Sequence, residues 1–230
     1  MFLTEHSPEH SYLSPHLNKY GYNMVANGDY FSTPDSVNNS ITGNITLIVE
    51  LNPTSWTPAT VQVLLAKDNV SATTRSYSMS LQTSGVLRFN FSLDGTAITS
   101  VDSTVATGFT NWQKRHVAVE RDSTTGDVRF YTGVNWINFT QLGTTVTSTT
   151  GSIFDSTTQL QFGNLSSLGY ELQGKIYDSE IYTGFGISNP AGSVLKVNFD
   201  PNDYIMWSST WTSFYTGEVW TINGNAKVAQ

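Results

Sequence analysis

Apolar and polar residues alternate with a period of two along most of the chain. In the segment 45–51 all the odd positions are apolar, and in the segment 76–93 two alternating runs flank a turn at 83–85. The segment 112–143 repeats this order, with a strand, a loop of small polar residues, a return strand and a second turn. The pattern predicts antiparallel strands, each with one apolar face, joined by tight turns.

The number of such strands predicts the architecture. Roughly a dozen one-sided strands bury their apolar faces most economically when two antiparallel sheets pack face to face. We therefore expect an all-β, antiparallel two-sheet jelly-roll sandwich over residues 28–230. In the segment 172–182 both faces mix apolar and charged side chains, so a β-bulge that resets the register is expected there.

The first 27 residues show neither a strand period nor a helix period. A disordered tail would account for them, but their scattered apolar anchors favour an extended N-terminal arm that docks on a neighbouring subunit during assembly. These anchors are Phe2, Leu3, Tyr12, Leu13, Leu17, Tyr20 and Tyr22.

Charge and cysteine content exclude several classes of partner. The formal net charge is −7, and phosphate binding needs a basic face, so nucleic acid is not an expected partner. Cysteine is absent, so packing rather than disulfides must stabilise the fold. The chain has neither a signal-peptide pattern at its start nor a run of about 18 uncharged apolar residues. We therefore expect no membrane partner and synthesis in the cytoplasm.

Three segments together resemble a laminin-G-like jelly roll of the concanavalin A type. They are YFSTPDSVNNSITGNITLIVEL at 30–51, WQKRHVAVERDSTTGDVRFYTG at 112–133 and GKIYDSEIYTG at 174–184. The similarity spans about residues 28–225. Further stretches, such as SWTPATVQVLLAKD and the terminal TGEVWTINGNAKV, are similar to single-domain jelly rolls among the virion proteins of tailed bacteriophages.

This resemblance implies a non-enzymatic virion structural protein. Such a protein would be a surface-exposed decoration or appendage subunit of the capsid or tail, anchored by its N-terminal arm. Its partners would be other virion proteins and further copies of itself, with host cell-surface glycans as a second target. The alternative is a carbohydrate-binding lectin or adhesion module for host attachment.

A sugar site needs an exposed aromatic ring for stacking and polar partners for the hydroxyl groups. The candidates for carbohydrate binding are Trp56, Asn135, Trp136 and Trp211. The loop aromatics Trp207, Phe214 and Tyr215 are further candidates. Packing inside the sandwich would account for each of these aromatic residues at least as well as sugar binding, so both interpretations stay open at this point.

Catalytic and metal sites are not predicted. Glucanases of this fold carry a Glu-x-Asp-x-x-Glu pattern, and the nearest match, Asp178 with Glu180, lacks the first glutamate because Ile176 stands there. Surface carboxylates on an acidic protein explain the pair better. Laminin-G-like domains often hold Ca²⁺, but the aspartates show no recognisable ligand spacing, so neither a metal site nor another cofactor is assigned. The aspartate sets considered were Asp68 with Asn69, Asp122 with Asp127, and Asp200 with Asp203.

Overall fold

A computed structural model of the protein describes residues 21–24, 28–70, 74–165, 168–204 and 208–229. In these residues the regular structure consists of strands and of two 3₁₀ helices, Pro190–Gly192 and Pro201–Asp203. The strands, numbered along the chain, are β1 (Gly21–Met24), β2 (Tyr30–Thr33), β3 (Ile45–Pro53), β4 (Gln62–Lys67), β5 (Tyr77–Leu81), β6 (Leu87–Phe91), β7 (Thr99–Asp102), β8 (Arg115–Arg121), β9 (Asp127–Gly133), β10 (Phe139–Gln141), β11 (Val146–Thr147), β12 (Leu160–Phe162), β13 (Gly174–Thr183), β14 (Val194–Phe199), β15 (Thr210–Thr212), β16 (Val219–Asn223) and β17 (Lys227–Ala229).

Two antiparallel sheets form a sandwich. The nine-stranded sheet has the order β10-β9-β8-β3-β13-β1-β17, with β11 also paired to β9 and β14 also paired to β13. The eight-stranded sheet has the order β15-β16-β2-β12-β4-β5-β6-β7. Neighbours that are distant in sequence, such as β3 beside β13 and β2 beside β12, show crossover connections between strands. The predicted all-β jelly-roll sandwich is confirmed.

The apolar faces of the strands fill the space between the sheets. In the central pair β3 and β8, Leu47 lies opposite Val119 and Val49 lies opposite Val117, and all four side chains are buried. Burial of an aliphatic side chain of this size stabilises the fold by about 1.5–3 kcal/mol. The same core contains a group of aromatic rings with centroid distances from 4.3 to 6.4 Å, namely Tyr22, Phe31, Phe162, Phe199, Trp211 and Trp220.

The outer face of the nine-stranded sheet carries the side chains that alternate with this core. Ile48 of β3, Ala118 of β8 and Tyr131 of β9 form a separate, smaller apolar cluster there. Further side chains, including Trp136 and Tyr182, pack against this cluster. The outer face is therefore partly apolar, which distinguishes it from an ordinary solvated sheet face.

Strand β13 contains the bulge expected in the segment 172–182. Ile176 and Ser179 both pair with core positions of β3, although an unbroken strand would turn residues three apart to opposite faces. After the bulge, Glu180 and Tyr182 point to the outer face. The bulge thus decides which side chains of β13 reach the outer surface.

The predicted arm is wrong for its last residues. Gly21–Met24 form β1, which lies between β13 and β17 in the nine-stranded sheet. Tyr22 is fully buried, with its ring 4.3 Å from that of Phe31. It therefore packs in its own sandwich, which begins by residue 21 rather than 28. The other predicted arm anchors, Phe2, Leu3, Tyr12, Leu13, Leu17 and Tyr20, lie outside the described residues.

Candidate functional site

Two of the predicted sugar-binding residues lie inside the sandwich. Trp56 is 1% exposed, its ring lies 4.9 Å from that of Phe109, and its Nε1 donates to the carbonyl oxygen of Gln113. Trp211 is 3% exposed and stacks on Tyr22, with 5.4 Å between the ring centroids. The prediction that these two indoles face a sugar is wrong, because protein side chains already enclose them.

The other two predicted residues meet in the turn between β9 and β10. The Asn135 Oδ1 atom accepts hydrogen bonds from the backbone N–H groups of Ile137 at 3.0 Å and Asn138 at 2.8 Å. This is an Asx turn, which fixes the local backbone. The partly exposed Trp136 ring meets the His116 ring edge to face, at a centroid distance of 4.7 Å. The turn therefore holds an accessible indole over the outer face of the sheet.

The remaining loop aromatics contribute no ring to this place. Phe214 and Tyr215 are exposed in the turn before β16 and contact each other edge to face at 5.3 Å. Neither residue lines the cavity beside Trp136. Trp207 lies outside the described residues.

A cavity of about 280 Å³, called the groove below, lies next to Trp136 on the outer face of the nine-stranded sheet. Its floor consists of Ile48 of β3 and of Glu180 and Tyr182 of β13. One wall belongs to the segment 136–139 and another to the segment 186–190. The volume is near the lower limit for small-molecule sites. The groove thus combines three partly exposed aromatic rings, Trp136, Phe139 and Tyr182, with one carboxylate.

The wall at 186–190 is held by a carboxylate from the middle of the sheet. Glu120 of β8 accepts hydrogen bonds from Ile187 N at 2.7 Å, from Ser188 N at 3.0 Å and from Ser188 Oγ at 2.7 Å. The Tyr131 hydroxyl donates to the same carboxylate at 2.9 Å. Hydrogen bonds to a charged acceptor are about twice as strong as neutral ones. Glu120 therefore fixes one wall of the groove to its floor.

The carboxylate in the floor titrates near neutral pH. Burial raises the pKa of Glu180 to about 7, although the Tyr182 hydroxyl donates a hydrogen bond that opposes the rise; the Asp200 carboxylate adds to it. Burial, followed by the neighbouring carboxylate of Glu180, also raises the pKa of Asp178 well above its usual range. Asp178 accepts a hydrogen bond from Asn198 Nδ2 at 3.2 Å. Glu180 in the floor and Asp178 behind it therefore both resist ionisation, because they are poorly hydrated and lie close to other carboxyl groups.

Beside the groove, a buried histidine supports the Trp136 ring. Burial, and secondarily the charge of Lys114, lowers the pKa of His116 to about 3, so the imidazole is neutral at physiological pH. The Lys114 Nζ atom lies 2.8 Å from Glu50 Oε1 and 4.1 Å from the centroid of the Tyr177 ring. The histidine thus acts as a neutral packing surface, and the lysine is already paired.

Glu180 and Tyr182 are the site residues that sequence reasoning missed. The interpretation of Asp178 and Glu180 as surface carboxylates is wrong for Asp178, which is 1% exposed, whereas Glu180 is partly exposed and lines the groove. The one signal available was the mixed pattern of the segment 172–182, in which acidic residues and core residues compete for the same strand.

The described part of the chain contains neither a metal-ligand cluster nor a membrane-spanning helix. No group of three or more His, Asp or Glu side chains there is arranged to hold a metal ion. Of the aspartates considered from sequence, Asp68 instead forms an ion pair with Arg75, with 3.0 Å between Oδ1 and Nε. In the same residues, no helix has the length and apolar character needed to span a membrane.

Solved structures with similar folds include several carbohydrate-binding proteins. A proposed carbohydrate-binding protein from Bacteroides ovatus superposes with a TM-score of 0.65 at 9% identity, over 92% of this chain and 59% of that one. The CBM40 of Ruminococcus gnavus IT-sialidase, bound to α2,3-sialyllactose, gives 0.51 at 11% identity, over 71% of this chain and 91% of that one. Domains LG4-5 of the mouse laminin α1 chain give 0.50 at 13% identity, over 70% of this chain and 41% of that one.

These similarities show the fold. The chain has the concanavalin A-like, laminin-G-like jelly-roll fold that was expected from its sequence. It spans about three-fifths of the Bacteroides protein, 59% of that chain. No protein-family model and no curated protein matches the sequence.

Proposed function

We propose that this sandwich is a non-catalytic carbohydrate-binding module and that the groove is its binding site. The observation that carries the proposal is the combination of Trp136, Tyr182 and Glu180 around one small cavity. Aromatic rings stack on the apolar faces of sugars, and a carboxylate accepts hydrogen bonds from their hydroxyl groups. The carbohydrate-binding proteins among the structural neighbours support this choice over other functions of the fold.

The surroundings of the acidic pair favour binding over hydrolysis. A retaining glycosidase needs two carboxyl groups about 5 Å apart that both reach the substrate. Asp178 is buried, accepts a hydrogen bond from Asn198 and does not line the groove. Only Glu180 of this pair can therefore meet a ligand in the groove, which suits recognition.

The test is retention of the purified protein on immobilised polysaccharides and on a glycan array. A Trp136→Ala variant should lose retention, because it removes the ring that forms one wall of the groove. Stacking of this kind contributes about 0.5–1.5 kcal/mol beyond area burial, so the affinity should fall severalfold or more.

Trp112→Ala provides the matched control. Trp112 is a tryptophan that is 63% exposed and does not line the groove, so its removal deletes an equal indole at another surface site. Unchanged retention of Trp136→Ala, with circular dichroism showing a folded protein, would overturn the assignment of the groove. Equal loss of retention in both variants would indicate nonspecific binding by exposed tryptophans. This result would also count against the groove as the binding site.

We further propose that the protein is a structural component of a bacteriophage virion. The bacteriophage resemblance described under Sequence analysis supports it, with capsid or tail proteins and further copies of the chain as partners. A glycan-binding module would suit an appendage that meets the host surface. Fractionation of purified virions into heads and tails, followed by mass spectrometry, would test this setting independently of sugar binding.

A further inference from the structure

The groove carries one kind of charge. Among the described residues that line it, Glu180 is the single ionisable carboxylate, and no Lys, Arg or His is present. The rest of the lining is aliphatic or aromatic apart from the Tyr182 hydroxyl, which donates to Glu180. A ligand in the groove therefore meets a negative or hydrogen-bond-accepting floor between apolar walls.

The cations of the neighbouring strands are already engaged. Lys114 forms an ion pair with Glu50 at 2.8 Å, and Arg129 forms one with Asp127 at 2.9 Å. Lys196 of the adjacent strand β14 lines a different cavity, which opens at 37–44 and 123–124. None of these three cations lines the groove, and two of them are paired with other carboxylates.

The charged groups that face Glu180 make this imbalance stronger. Asp200 after β14 acts on both Glu180 and Asp178, and Glu50 on β3 acts on Asp178. Like charges in a poorly hydrated place repel, and an added cation relieves the repulsion. The aromatic residues Tyr182 and Trp136 also line the groove, and the faces of such rings attract organic cations through their quadrupoles.

We infer that the groove selects a sugar carrying an ammonium group, an amino sugar, over neutral sugars, and that it rejects sugars carrying a carboxylate. This inference rests on the proposed carbohydrate binding at the groove. The ammonium group donates to the Glu180 carboxylate while the apolar ring face of the sugar stacks on Trp136. A carboxylated sugar places a second anion against Glu180, and no described cation lines the groove to pair with it.

Titration calorimetry at about pH 7, where about half of the Glu180 carboxyl is ionised and most free amino groups are still protonated, tests the selection. The probes are a glucosamine tetramer, an N-acetylglucosamine tetramer, a glucose tetramer and α2,3-sialyllactose. The glucosamine tetramer should bind about tenfold or more tightly than the two uncharged tetramers, as expected for a hydrogen bond between charged groups. Sialyllactose should bind most weakly.

The Glu180→Gln variant separates a specific contact from general attraction to an acidic protein. It should bind all three tetramers with similar affinity, because the amide retains an acceptor but not the charge. Asp102→Asn is the control, since it removes one negative charge from an exposed ion pair with Arg88 on the other sheet. That variant should keep the preference for glucosamine.

The outcomes are distinguishable. Equal binding of charged and uncharged tetramers, with Trp136 still required, would overturn the inference and leave the proposed function standing. A preference for the glucosamine tetramer that survives in Glu180→Gln would also overturn the inference, because a residue other than Glu180 would then bind the ammonium group. Absence of binding by every saccharide would overturn the proposed function together with the inference.

Discussion

Glu120 and Ile187, which are 67 residues apart in the chain, are joined by a hydrogen bond of 2.7 Å from the Ile187 N–H group to Glu120 Oε1. The same carboxylate accepts from Ser188 and from Tyr131. A residue near the end of β8 thus holds the connection between β13 and β14 in place. The shape of the groove depends on this contact, although Glu120 does not line it.

Replacement of Glu120 should therefore affect stability and binding together. In Glu120→Ala the donors of Ser188 and Tyr131 lose their acceptor, so we expect a loss of about 2–4 kcal/mol in the free energy of unfolding. The freed wall should also weaken saccharide binding. Urea unfolding and titration calorimetry measure the two effects. Glu120→Gln keeps one acceptor oxygen, so its stability and its affinity for saccharides should lie between those of the native protein and of Glu120→Ala. Native-like stability and affinity of Glu120→Ala would contradict the role of Glu120 in holding the wall.

The raised pKa of Glu180 predicts a pH-dependent difference between the native protein and Glu180→Gln. The pKa of a glutamate is ordinarily about 4.5 and that of Glu180 in the folded protein is about 7, so the folded state binds more protons than the unfolded state between these pH values. Native stability should therefore fall as the pH rises through this window, by at most about 1.4 kcal/mol per pH unit. Glu180→Gln lacks this dependence and should gain relative stability from pH 4.5 to 7. If the free energies of unfolding of the two proteins change with pH in parallel, the raised pKa of Glu180 is refuted.

Tyr22 allows a test of β1 as part of the core. Tyr22→Ala should lower the free energy of unfolding by about 3–5 kcal/mol, because it leaves a cavity among Phe31, Phe199 and Trp211. The buried Tyr22 hydroxyl has no hydrogen-bond partner among the described residues, so Tyr22→Phe should be close to neutral or stabilising. Denaturant melts of both variants decide the matter. A small effect of Tyr22→Ala would show that β1 is dispensable.

The first 20 residues can be tested apart from β1. Deletion of residues 1–20 should leave the sandwich folded, because β1 and its pairing with β13 and β17 are retained. If these residues dock on virion partners, particles made with the truncated chain should lack the protein by mass spectrometry. A chain in which a Gly/Ser segment of equal length replaces them controls for chain length. Normal occupancy of the truncated protein would end the docking interpretation.

Much of the fold could be predicted because its strands alternate clearly. The segment 76–93 contains β5 and β6, and the run 45–51 lies within β3, since each strand has one face in the core. The bulge could be placed in the segment 172–182 because apolar and charged residues are mixed on both faces of that predicted strand. In such strands local sequence and tertiary burial agree, so the pattern is sufficient.

The site was harder to predict because exposure is decided by distant partners. Trp56 and Trp136 both follow strands and both lie in polar loops, yet Phe109 and Gln113 enclose one while the other remains accessible. Strand β1 was missed because four residues are too short to show alternation. Its burial depends on β13 and β17, which are far away in the sequence.

The position of β1 has a consequence for how the protein matures during synthesis. The ribosome makes this strand long before β13 and β17, which come from the last third of the chain. At ordinary translation speeds of about 5–20 residues per second, β1 waits on the order of ten seconds for its neighbours. The apolar side chains of β1 remain unburied by these two strands throughout that interval. The nine-stranded sheet can therefore be completed only after nearly the whole chain has been made, because β1 pairs with β13 and β17.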